Sequence, residues 1–313
     1  MRTWLLVLLI GSVFACEYSE IDRLYLLDAA RDRNIGVKVY LPAGDGPTPV
    51  VIFSHGLGGS QWGYAYLGRH LASRGMVSIH CTHPGSDWLL WDGKGPGSAM
   101  ASLRKAAEDP ANWRDRPRDI SLVMDRFDEL TQQAPALAGR LDRTRIAVVG
   151  HSFGAFTTMA IAGLKPTFPE AGAVDLTDPR PIAFVAMSPQ GMGGFLPSGS
   201  WIGLTRPVLL LSGSEDEQPF SGSNHGLAWR MEAWNEIPVG AKWLAVMDGA
   251  THMTFSAGGM GEKAEPTKLE TICAIVTSFL DSRFSNQPFT APVLPGVTWM
   301  IGTAPGDQVD RNR

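Results

Sequence analysis

Between residues 49 and 252 the chain alternates short apolar runs with amphipathic stretches. The runs are "PVVIFSHG", "GMVSIHCTH", "RIAVVGHS", "PIAFVAMSP", "PVLLLSGSED" and "KWLAVMDGATH". Each is near-continuously apolar, the pattern of a strand covered on both faces. Residues 64–74, 118–132, 153–163 and 225–236 read as the intervening helices, and a last helix is expected at about 265–281. Strand following helix following strand predicts an α/β fold with a mainly parallel central sheet and helices on both faces. Upstream, "RLYLLDAA" and "IGVKVYLPA" flank the polar turn "RDRN" and predict an N-terminal antiparallel hairpin. Downstream of Phe284 the chain is broken up by Pro and Gly and holds no second core. The expected organisation is a leader over residues 1–16, one α/β domain over 20–281 and a C-terminal extension over 282–313.

Composition narrows the partners. The 313 residues are 44% hydrophobic, with a formal net charge of −4 and Lys and Arg scattered among Asp and Glu. Without a basic stripe, nucleic acid is not the expected partner. The opening "MRTWLLVLLIGSVFAC" has one basic residue, an apolar run too short to span a membrane comfortably, and small residues before Cys16. It reads as an export signal, with a buried first element as the alternative. "VFAC" also resembles a bacterial lipobox, in which Cys16 would carry lipid and attach the chain to a membrane, although Phe14 is bulky for that motif. A periplasmic, extracellular or lipid-anchored protein is expected, and the remaining Cys81 and Cys273 read as buried free thiols.

In open parallel sheets ligands sit beyond the carboxyl ends of the strands, so chemistry is sought there. After "RIAVV" comes Gly150-His151-Ser152-Phe153-Gly154, a G-x-S-x-G match between a strand and a helix. Ser152 is either the N-cap of that helix or a nucleophile at a tight turn, and the context favours the nucleophile. A serine hydroxyl needs a base. His252, just past the last apolar run, is the expected one, with His225 the alternative. The acid that orients it is expected at Asp216 in "SGSEDEQ", with Glu215 in reserve. Oxyanion donors are expected at the backbone N–H of Phe153 and, from the Gly-rich "SHGLGGS", at Leu57. His83 follows a strand end and is a candidate to line a substrate pocket, as are Trp62, Gln190 and Met192, with ordinary loop packing the alternative for each. "HCTH" spaces His80 and His83 like a metal pair, but no further ligands complete a set, so neither a metal nor an organic cofactor is expected.

Together "SHGLGG", "GHSFG", "SGSED" and "GATHM" resemble an α/β-hydrolase of the group that contains dienelactone-hydrolase-like proteins and the platelet-activating-factor acetylhydrolases. The resemblance covers roughly residues 20 to 281 and implies the α/β-hydrolase fold. It departs at two points. Dienelactone hydrolases proper use cysteine where this chain has Ser152. The acetylhydrolases place their acid after the strand that follows the elbow helix, where this chain has "MSPQ"; its acid position is more like that of bacterial esterases and cutinase-like polyester hydrolases. The expected function is a serine carboxylesterase acting on small neutral esters of short or medium acyl chains. Acyl transfer, thioester cleavage and polyester or phospholipid hydrolysis use the same triad. A non-catalytic envelope binding protein on this fold would be expected to lack a triad member.

Overall fold

The apolar runs form the inner strands of a nine-stranded sheet in the computed structural model, which describes residues 17–219, 225–240, 242–259 and 261–302. The leader and the Cys16 lipid site lie outside the described residues. In chain order the sheet strands are β1 (Tyr18–Asp28), β2 (Arg33–Pro42), β3 (Thr48–Ser54), β4 (Val77–Cys81), β5 (Leu141–His151), β6 (Ala183–Met187), β7 (Val208–Glu215), β8 (Lys242–Thr251) and β9 (Val297–Gly302). They lie in the order β1-β2-β4-β3-β5-β6-β7-β8-β9. The block from β4 to β8 is parallel, and β1, β2 and β9 make antiparallel pairings at the margins. This is the α/β-hydrolase fold.

The continuous apolarity of the inner runs follows from the two-residue period of a strand. Val50, Ile52, Val148, Phe184, Val208 and Leu210 belong to one core, shared with helices α3 (Pro110–Asp125), α4 (Phe127–Gln133), α5 (Phe153–Ala162) and α6 (Leu227–Glu236). Their neighbours Val51, Phe53, Val149, Val185, Leu209 and Leu211 face a second core, shared with α1 (Ala65–Ser73) and α7 (Pro266–Phe284). Neither face of these strands meets water, so no alternation is visible in the sequence.

Three elements differ from the sequence reading. A helix α2 (Pro96–Glu108), begun by a proline in its first turn, occupies a stretch to which the sequence reading assigned no element. The helix expected from residue 118 starts at Pro110, where Asp109 accepts from the Ala111 N–H at 2.9 Å. It runs through Pro117, whose fixed φ is helical and which removes one backbone donor. It ends at Asp125, and α4 follows as a separate helix. The C-terminal extension is no appendage: β9 pairs along β8 from Val297↔Met247 to Gly302↔Lys242, so the sheet continues past residue 281. Cys81 and Cys273 are buried free thiols. Among the described residues no helix is long and apolar enough to cross a membrane.

Candidate active site

The register of the parallel strands sets the site. His151 pairs with Met187 and Thr251 with Glu215, so the residues following β5, β7 and β8 emerge at one edge of the sheet. Ser152 stands there with φ 54° and ψ −118°, a conformation that L-residues rarely adopt and that surrounding structure must enforce. The flanking glycines explain how. A Cβ on Gly150 would overlap the Gly154 backbone and come 2.8 Å from Thr158 Oγ1. One on Gly154 would lie 2.6 Å from the Ser54 carbonyl carbon and 2.9 Å from the His55 oxygen. Ser152 holds the N-cap position of α5, yet its side chain makes no capping bond. Its hydroxyl faces His252 Nε2 at 2.9 Å.

His252 Nδ1 lies 2.9 Å from Asp216 Oδ1. A carboxylate only accepts, so Nδ1 carries the proton and Nε2 is left to accept from the Ser152 hydroxyl. Asp216 is fully buried, and its Oδ2 accepts from Ser212 Oγ at 2.9 Å. Burial alone would raise its pKa; the hydrogen bond from His252 and the charge of Arg230 outweigh that and hold the carboxyl at about 2. Burial lowers the pKa of His252, and Asp216 only partly opposes it, so the imidazole is neutral at pH 7. Glu215, the reserve acid, ends β7 exposed to solvent. His225, the alternative base, stacks on Trp229 with ring centroids 4.4 Å apart and lines the cavity described below.

Arg230, on α6, was not anticipated. It is buried, and its Nη2 lies 2.9 Å from both Asp216 Oδ1 and His252 Nδ1. A helix arginine reads as surface in a hydropathy pattern, and no short motif marks it.

The loop after β3 is held from below. Gly58 N–H donates to Ser86 O at 2.9 Å, Trp91 Nε1 donates to Gly58 O at 2.7 Å, and Arg116 Nη2 donates to His55 O. Arg116 also reaches Thr157 Oγ1 on α5 at 3.0 Å and lies 4.5 Å from the centre of the Phe153 ring, so one guanidinium ties the loop to the elbow helix. The N–H of Phe153 is the first of α5 and has no intrahelical acceptor. Leu57 borders the same cavity as Ser152 and Phe153.

His83 is not a pocket residue. It is fully buried beneath that loop, with Nε2 2.9 Å from Ser54 Oγ and Nδ1 3.0 Å from Asp119 Oδ2. This second Ser–His–Asp line has the connectivity of the first but no solvent access; Asp119 is further tied to Arg33 and Arg31. His80 turns away from His83, to Ser78 Oγ and the Gly63 carbonyl. Trp62 is half exposed, edge-on to Trp88, and outside the cavity described below, as loop packing would have it.

A cavity of about 280 Å³ opens over Ser152. Gln190 and Met192 line it, and Gln190 Nε2 donates to Ser152 O at 2.9 Å. Its apolar wall comes largely from residues the sequence did not single out: Leu103 of α2, Trp113 of α3 and Leu196, with Arg104 and Glu108 also bordering it. Among the described residues no group of three or more His, Cys, Asp or Glu is placed to hold a metal ion.

Residues 33–86 match the family model of platelet-activating factor acetylhydrolase, isoform II. The chain is 24% identical over 218 residues to cutinase est2 of Thermobifida alba, covering 69% of this chain and 57% of that protein. It is 28% identical over 138 residues to the platelet-activating factor acetylhydrolase of Cavia porcellus, covering 36% and 31%. The alignments thus span little more than half of the cutinase and about a third of the acetylhydrolase. Among solved structures, a ferulic acid esterase from Streptomyces cinnamoneus superposes with a TM-score of 0.63 at 21% identity, covering 88% of this chain and 94% of that one. The mainly parallel sheet in this strand order and the superposition show the α/β-hydrolase fold, and the serine turn after the fifth strand together with these likenesses fits a serine esterase on that fold.

Proposed function

We propose that this protein is a carboxylic ester hydrolase that works through an acyl-enzyme on Ser152. The observation that carries the reading is the unbroken line from Asp216 through His252 to Ser152, two contacts of 2.9 Å that end at the floor of an apolar cavity. His252 Nε2 takes the hydroxyl proton as Ser152 Oγ bonds to the ester carbonyl carbon. The N–H groups of Phe153 and Leu57 receive the resulting oxyanion. The imidazolium returns the proton to the departing alcohol oxygen as the C–O bond breaks. Water, deprotonated by the same imidazole, then cleaves the acyl-serine and releases the acid.

At about 280 Å³ the cavity falls just short of the usual range of ligand pockets, about 300–1,000 Å³. Its lining by Leu57, Leu103, Trp113, Phe153 and Leu196 suits a short or medium acyl group. A second reading, hydrolysis of a polyester or lipid, is favoured by the exposed Leu89 and Trp91, the latter bonded to Gly58 beside the cavity, and by the name of the cutinase relative.

The test pairs the protein with Ser152→Ala against a fluorophosphonate probe and a nitrophenyl ester series, with a polyester film and a phospholipid emulsion as further substrates. Labelling of the wild type alone and a maximum at short or medium chains are expected. Equal labelling of both proteins refutes the role of Ser152, and turnover confined to film or emulsion replaces the first reading by the second. We further propose export directed by residues 1–16; mass spectrometry of the mature N-terminus checks it, with a lipid mass on Cys16 expected only for the anchored form.

A further inference from the structure

The triad acid of this chain has two cationic or protonated neighbours on the same oxygen. Asp216 Oδ1 lies 2.9 Å from His252 Nδ1 and 2.9 Å from Arg230 Nη2, and these two nitrogens are themselves 2.9 Å apart. Because Nδ1 already carries a proton, Arg230 donates nothing to it. The guanidinium instead lies against the imidazole edge with its positive charge.

Arg230 is fixed in that position by the rest of its donors. Nε donates to the Asp216 carbonyl at 2.9 Å, and Nη1 donates to the Ser188 and Pro189 carbonyls at 3.0 Å each. Nη2 also reaches Gln218 Oε1 at 3.4 Å. One side chain from α6 thereby joins the turn after β7 to the turn after β6, which is the "MSPQ" segment that supplies no acid of its own. No other side-chain type offers five donors in a rigid fork.

We infer that Arg230 is a positioning residue of the triad, holding the Asp216 carboxylate toward His252 and, by its charge beside Nδ1, keeping the imidazole free of a second proton below neutral pH. The inference rests on the esterase reading and deepens it. Among the described residues the groups facing His252 are few. Asp216 comes from the turn after β7 and Arg230 from α6. His151 comes from the end of β5, with ring centroids 4.6 Å apart, and is itself kept neutral by burial. Glu262, downstream of β8, also acts on it and favours protonation. Arg230 is the one cation among them. Its charge acts on the imidazolium form and so sets where the acid limb of activity falls.

The experiment reads that limb in two ways, by kcat/KM for a nitrophenyl ester and by the rate of fluorophosphonate labelling of Ser152, each from pH 4 to 8. Arg230→Gln removes the charge; Arg230→Lys keeps it but cannot span all four carbonyl and carboxylate partners. In R230Q both acid limbs should move up by on the order of one pH unit, a tenfold rise in proton affinity. In R230K they should stay near the wild-type position while kcat falls. If R230Q does not fold, R230K decides alone: a lysine variant whose acid limb rises by a full unit overturns the role of charge. A folded R230Q with an unmoved limb overturns it too. Wild-type protein that fails to label at any pH would instead defeat the esterase reading itself.

Discussion

The closest packing in the elbow lies between Gly154 and the end of β3, and Gly154→Ala tests whether that contact sets the reaction geometry. The added Cβ would stand 2.6 Å from the Ser54 carbonyl carbon, whereas ordinary contact begins near 3.4 Å, so the two backbones must part by at least 0.8 Å. Neither is a flexible side chain, and overpacking of this kind costs about 1–3 kcal/mol. For a domain of this size that lowers the melting temperature by about 2–6 °C, at about 2 °C per kcal/mol. Activity should suffer more than stability. The elements forced apart carry the two N–H groups proposed for the oxyanion, Leu57 beyond β3 and Phe153 on α5, and a misplacement of about 1 Å costs on the order of 100-fold in rate. Calorimetry and kcat/KM on a nitrophenyl ester measure both quantities. Gly97→Ala is the control: this α2 glycine has open space around its Cβ position and a helical backbone. Alanine there should be neutral or stabilise by about 0.5–1 kcal/mol. A G154A protein with wild-type kcat/KM and melting temperature would refute the reasoning.

Burial holds His55, His83 and His151 neutral well below pH 6.5 and lowers His80 to about 3, so between those values and pH 6.5 the unfolded chain binds protons that the fold refuses. Stability should therefore be full above pH 6.5 and fall as the pH drops, by about 1.4 kcal/mol per pH unit for each such histidine, which urea melts at pH 7 and 5 will show or contradict. Asp119→Ala leaves Arg33 without its buried partner and should cost about 3–5 kcal/mol in the same assay; a loss below 1 kcal/mol would mean the relay under the loop is structurally idle. Ending the chain before Val297 uncovers the β8 edge, and light scattering should report association that the longer chain does not show. Leu103→Ala deepens the apolar wall. Since a buried methylene is worth about 0.8 kcal/mol, kcat/KM for longer acyl chains should gain about fourfold over shorter ones per methylene admitted, and an unchanged chain-length profile would remove Leu103 from the acyl site.

Legibility in the sequence followed the range of the signal. The inner strands were visible because each buries both faces, and the elbow was visible because two glycines, a serine and a strand-helix junction fall within a dozen residues. Asp216 and His252, which the structure brings into line with Ser152, drew notice because they directly follow such strands. The pocket could not. His83 and Trp62 also follow strands or neighbour the loop, but which way a side chain turns there depends on Asp119 and Trp88, far off in sequence. Leu103 and Trp113 come from helices that cross the strand ends, a matter of packing angle and not of local pattern. Pro117 hid the first two turns of α3, since a proline is a strong stop signal that this helix overrides. Arg116 and Arg230 were invisible for the same reason: an arginine in a helix gives no sign that it is swallowed whole and spends its donors on carbonyls.

The strand order also fixes where the molecule can be held. Tyr18 opens the strand on one rim of the sheet and Gly302 closes the strand on the other, eight spacings apart. At about 4.8 Å per spacing the rims are on the order of 40 Å apart. A linker joining the two positions in a circular permutant would need at least about 12 extended residues. β5, whose end presents Ser152, is the fifth of the nine strands, so Ser152 stands at the midline. A surface, a bead or a fused partner attached beyond either rim is therefore about four strand spacings to the side of Ser152.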